Sequence, residues 1–137
     1  MRLVLINWSQ RYSVDVAEFD EQHKKLVGLI NDLNDAMRVG KGKAVLGGIL
    51  HELTTYTTSH FKAEEKCFAR FKYPDTFNHR LEHVAFAKKV AKYSEAYANG
   101  KMPLTTEVLK FMSDWWKHHI LETDKKYSQF FSENGLK

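Results

Sequence analysis

Seven residues of this chain carry metal-binding side chains at positions where helices would aim them inward. His60 and Glu64 stand four apart, so on a helix they lie one above the other on a single face. A neutral imidazole and a carboxylate so placed can grip a transition metal. One such pair is a weak signal, because His-x-x-x-Glu occurs by chance on many solvated helices. The spacing returns at His79 and His83, and the chain adds His23 upstream and His119 with Asp124 downstream. Each of these four places falls in a different stretch of helical apolar periodicity.

Those stretches set the positioning elements. The periodicity predicts helices over about 19–39, 44–71, 76–99 and 105–131, after an N-terminal arm over 1–18. The arm holds the apolar run Leu3 to Ile6, and Trp8 is expected to pack on the helices. Phe19, Leu26, Ile30, Leu33 and Met37 form the first stripe, with His23 inside it. The second runs from Leu46 through Leu53, Thr57, His60, Glu64 and Cys67 to Phe71. The third is His79, His83, Phe86, Val90, Tyr93 and Tyr97. The fourth is Val108, Met112, Trp115, His119, Thr123, Tyr127 and Phe130. Breaks fall at Gly40 to Lys43, at Tyr73-Pro74-Asp75, and at Gly100 and Pro103. Four amphipathic helices joined by short turns predict an all-α, up-down-up-down four-helix bundle, one domain over residues 1–137.

Position on the stripes sorts the candidates. An ionised Glu64 on a core-facing stripe is costly unless paired or coordinated. Glu65 points elsewhere and is expected in solvent, as is His51, off its stripe. Cys67 reads as a small apolar residue of the core. His118 repeats the His60/Glu64 device with Glu122, whereas periodicity favours His119, four residues after Trp115. His119 and Asp124 are five apart, about 140° around an ideal helix, so they cannot share one line of it.

Five imidazoles and two carboxylates are too many for one ion and fit two. If Glu64 and Asp124 each bridge, with a hydroxide as third bridge, every ion has three oxygen ligands. Three histidines then close one ion, and two leave the other with an open position. Imidazole with carboxylate suits iron among several first-row metals. Ferritin-like di-iron enzymes use four carboxylates and two Glu-x-x-His motifs, and this chain has no Glu-x-x-His. Fewer anionic ligands stabilise high-valent states less, which favours reversible dioxygen binding over its cleavage. Phe61, Trp115 and Trp116 are the aromatic candidates for keeping water from such a pocket.

Composition narrows the partners. The formal charge of +4 comes from lysines spread along all the helices, without the dense basic run that nucleic-acid binding needs. The single cysteine, Cys67, forms no internal disulfide and points to a reducing compartment. No apolar run is long enough for a signal peptide or a membrane span, so the cytoplasm is expected.

The motifs resemble those of the bacterial hemerythrins from Trp8 to about Tyr127. They are Asp20-Glu21-Gln22-His23, His60-Phe61-x-x-Glu64-Glu65, Tyr73-Pro74 followed by His79-x-x-x-His83, and His119-Ile120-x-x-x-Asp124. The resemblance implies His119 rather than His118 as ligand. It implies a non-haem, hydroxo- or oxo-bridged di-iron centre that binds dioxygen reversibly. His79, His83 and His119 would hold the closed iron, His23 and His60 the open one, and Glu64 and Asp124 would bridge. One departure stands at Trp116, where the family often has a leucine beside the dioxygen pocket. With no long linker to a signalling domain, the expected protein is a monomeric oxygen carrier or store and not an enzyme. Delivery to an oxygen-consuming enzyme is compatible with that role. A di-iron peroxidase, a nitric-oxide-handling enzyme and an oxygen or iron sensor are the alternatives.

Overall fold

The computed structural model describes residues 5–101 and 105–136, and the expectations for Leu3, Val4 and Pro103 lie outside them. The fold is an all-α four-helix bundle. Helix α1 spans Ala17–Arg38, α2 Gly42–Phe71 and α3 Thr76–Ala98. The fourth rod has three parts: α4 over Thr105–Trp115, a π-helical segment over Trp116–Asp124, and α5 over Lys125–Glu133. Short connections make sequential helices antiparallel neighbours; α1 packs along α2, α2 along α3, and α4 against α1 and α2.

Local chemistry explains the ends. Helix α1 begins two residues before the periodicity predicts, with Glu18 and Asp20 in its first turn, where carboxylates favour the helix dipole. It stops at a turn where Gly40 takes φ 75°, open to glycine without strain. Helix α2 ends in the left-handed Lys72, whose backbone N–H returns to the Phe68 carbonyl.

The arm is fastened at two places. Asn31 on α1 accepts from the Leu5 and Ile6 amides at 2.9 and 3.0 Å and donates to the Ile6 carbonyl at 2.8 Å. Asp20 accepts from Ser13 Oγ at 2.5 Å and from the Val14 amide at 2.8 Å. Trp8 packs on Tyr12 and Trp116.

Two apolar clusters fill the bundle. One holds Leu26, Ile30, Leu33, Leu46, Leu50, Leu53, Phe86, Val90 and Met112; the other holds Val14, Phe19, Phe68, Tyr73, Tyr127 and Phe131. Tyr97, expected in the core, is instead 38% exposed and lies over Gly47, where an added Cβ would come within 2.6 Å of its hydroxyl. Cys67, expected in the core, is partly exposed beside the second cluster. Among the described residues, no helix is long and apolar enough to cross a membrane.

Candidate metal centre

On every long helix the candidate ligands sit between residues of one cluster and residues of the other. His23 lies between Phe19 and Leu26, and His60 with Glu64 between Leu53 and Phe68. His79 and His83 lie between Tyr73 and Phe86. The bundle thus encloses a polar layer between two apolar blocks. All seven residues are buried in it; His23, Glu64, His79 and Asp124 are 0% exposed.

The π-helical segment reconciles His119 with Asp124. Its hydrogen bonds close on the fifth residue instead of the fourth, so residues five apart return to the same side. The 140° conflict of an α-helix disappears, and His119 Nε2 lies 3.0 Å from Asp124 Oδ1. His118 points away, with its side chain 75% exposed and 3.8 Å from Glu122.

The two carboxylates divide their oxygens between two groups of imidazoles. Glu64 Oε1 lies 3.0 Å from His83 Nε2 and 3.6 Å from His79 Nε2. Its Oε2 lies 3.4 Å from His60 Nε2 and 3.9 Å from His23 Nε2. Asp124 Oδ1 lies 2.9 Å from His79 Nε2, while Oδ2 lies 3.1 Å from His23 Nε2. Two overlapping ligand sets result: Glu64, His79, His83, His119 and Asp124, and His23, His60, Glu64 and Asp124.

These groups converge as the ligands of a metal site would. Several of the distances suit a hydrogen bond, yet Nε2 of all five histidines, Glu64 Oε1 and both Asp124 oxygens make none. Buried polar atoms without partners are costly, and here they converge on common points between the helices. A cation at each point satisfies them together, so the donor set fits two metal ions.

Behind the ligands stands a layer that the periodicity does not single out. His83 Nδ1 donates to Glu65 at 2.9 Å, and His119 Nδ1 donates to Glu82 at 2.9 Å. His60 Nδ1 meets Gln22 Oε1 in a short contact. Committing Nδ1 in this way leaves Nε2 with its lone pair facing the centre. Thr123 Oγ1 steadies Glu82 at 3.0 Å, and the Tyr127 hydroxyl donates to Glu64 Oε2 at 2.5 Å. Glu65 is therefore not the solvated neighbour its position suggests: it joins His83 to Arg80, whose Nε lies 2.8 Å away. Adjacency to Glu64 and His83 was the available signal for Glu65 and Glu82. Their partners lie on other helices, which spacing within one helix does not reveal.

Aromatic rings wall the centre. Phe61 stacks on His83 with centroids 3.9 Å apart, Trp115 on His119 at 3.8 Å and Tyr56 on His60 at 4.8 Å. Trp116 faces the arm: its ring contacts among the described residues are Trp8 at 6.1 Å and Tyr12 at 5.3 Å, and none is a site histidine. With Leu5, Ile6 and Tyr12 it lines a surface cavity of about 460 Å³.

Without a cation, protons fill part of the charge deficit. Burial opposes a charged His79, but Asp124 and Glu64 outweigh it and raise that imidazole to about 10. Burial likewise opposes charge on His119, which Asp124 and Glu82 raise to about 9. Burial lowers His60. Burial alone would raise both carboxylates; His60, His79 and His83 instead hold Glu64 well below its usual range, and His119 and His23 depress Asp124.

Comparison with known proteins gives the family. The bacteriohemerythrin of Clostridium acetobutylicum is 31% identical over 125 residues, spanning 88% of this chain and 96% of its own. A hemerythrin-like protein of Naegleria gruberi is 34% identical over 121 residues, spanning 88% of this chain and 89% of its own. The crystal structure of a wild-type hemerythrin superposes with a TM-score of 0.82 at 28% identity, covering 92% of this chain and 97% of that one. The family model of the hemerythrin HHE cation binding domain matches residues 14–131. The chain belongs to the hemerythrin family.

Proposed function

We propose that this protein binds dioxygen reversibly at a non-haem di-iron centre, for oxygen storage, transport or delivery. The observation that carries the reading is the division of Glu64 and Asp124: each turns one oxygen to a three-histidine set and the other to a two-histidine set. His79, His83 and His119 would hold one iron, His23 and His60 the other, and Glu64 and Asp124 would serve both. The iron pair, when bound, supplies the electrons and the vacant coordination position that dioxygen needs.

The chain supplies orientation, dryness and restraint. Glu65, Glu82 and Gln22 fix the rings of His83, His119 and His60. Tyr127 holds Glu64 through its hydroxyl, and burial keeps that phenol protonated far above its ordinary range. Phe61, Trp115 and Tyr56 present apolar ring faces to the histidines, which excludes water and slows loss of reduced oxygen species. Among the described residues two carboxylates lie in the centre, too little anionic charge to favour cleavage of the O–O bond.

A second reading, a di-iron peroxidase, has one observation in its favour. Tyr56 stacks on His60 with its side chain buried, so a phenolic O–H stands beside the two-histidine set. Oxygen titration of the reduced, iron-loaded protein separates the readings. Uptake of one dioxygen per two irons, recovered under argon, is expected for the carrier. Uptake without recovery, with rapid turnover of added peroxide, would establish the peroxidase.

A further inference from the structure

The outward face of α3 carries three of the large apolar side chains that remain open to water. Phe77 is 74% exposed, Leu81 53% and Val84 49%. They stand four and three apart, so they form one stripe. The opposite face of the same helix carries His79, His83, Phe86 and Val90 into the bundle. The edge of the stripe is basic: Arg80 lines the shallow surface pocket among these side chains, Lys88 follows Val84 by four residues and Lys92 follows by four more. Glu82 turns away to His119 and Thr123, and Glu95 lies at the far end of the helix.

Arg80 ties this surface to the candidate centre. It is 62% exposed and lies 2.8 Å from Glu65, which accepts from His83 Nδ1 at 2.9 Å. Two contacts therefore lead from the exposed stripe to a side chain of the three-histidine set.

We propose that this face of α3 is the docking surface for an acidic one-electron donor protein that returns oxidised iron to its dioxygen-binding state. The proposal rests on the function proposed above. Three side chains fall far short of the roughly 800 Å² that each partner buries in a stable complex, and they match the small interfaces of electron-transfer encounters. A second copy of this chain would bring Arg80 and Lys88 against like charge. An acidic rim on the donor complements both those residues and the net charge of +4, and steers the encounter. Two such encounters, with protons taken from solvent as the charge requires, would restore a diferrous pair.

The test is stopped-flow reduction of the ferric protein by a reduced plant-type [2Fe–2S] ferredoxin, an acidic donor, with dithionite as a small reductant. The variants are Leu81→Asp and Lys88→Glu, both at exposed positions away from the buried layer. The second-order rate constant with ferredoxin is expected to fall with added salt, and to fall in each variant by on the order of tenfold. Dithionite reduction and the dioxygen spectrum should not change. Salt-independent reduction of the wild type, or variants reduced by ferredoxin at the wild-type rate, would overturn the proposal. A protein that binds iron without a reversible dioxygen spectrum would instead overturn the proposed function, so the two failures are distinct.

Discussion

Glu64 is the residue on which the candidate centre depends most. Its two oxygens face different histidine sets, and it is fully buried. Replacing it with alanine is predicted to lose one or both irons. His118→Ala, at an exposed position one residue from a candidate ligand, is predicted to retain both. Iron per chain, measured by mass spectrometry of the loaded metals, checks the pair; full iron in the first variant or loss in the second would reverse the assignment. The orienting residues should have smaller effects. Glu82→Gln removes the anion that holds His119 and is predicted to weaken iron affinity by roughly 10- to 100-fold, read by chelator competition. At this scale the sequence puts the candidate ligands on shared helix faces and says little of their supports. His60 and Glu64 share a helix face whatever the other helices do. Gln22 and His60 come together only because α1 packs on α2.

At the scale of elements, apolar stripes predicted four helices because each must bury one face, and the histidines on those stripes had nowhere to go but inward. The exception was the fourth rod. An ideal α-helix cannot place His119 and Asp124 together, and nothing in periodicity announces that Trp116–Asp124 winds more widely. That winding brings the two residues together. The arm shows the same limit, since Asn31 is its clasp and nothing in the α1 stripe singles that residue out. Asn31→Ala would leave two amides and a carbonyl of Leu5 and Ile6 without their partner. A loss of about 1–3 kcal/mol is predicted, with faster proteolysis near the arm. Unchanged thermal unfolding and cleavage would show that the clasp contributes nothing.

The whole molecule is two apolar blocks joined through a layer of charge, so its stability must depend on what fills that layer. In the metal-free protein, His79 and His119 are raised to about 10 and 9, above the unfolded imidazole value of about 6.5. Their contribution to stability is full below about pH 6.5 and is lost as pH rises through 9 and 10. Glu64 and Asp124 are lowered, so their contribution is present above the ordinary carboxylate range, about pH 4, and is lost as pH falls. Thermal melts of the metal-free protein are predicted to peak at about pH 5–6 and to decline toward pH 10. Bound metal replaces those protons and should flatten the alkaline decline. A metal-free melting temperature that rises between pH 7 and pH 10 would contradict this balance.

The most direct test of the centre itself is anomalous diffraction at the iron edge from crystals of the iron-loaded protein. Two peaks are predicted inside the bundle. Both should contact Glu64 and Asp124, one joined by His79, His83 and His119 and the other by His23 and His60. A single peak, or two peaks that do not share Glu64 and Asp124, would contradict the account.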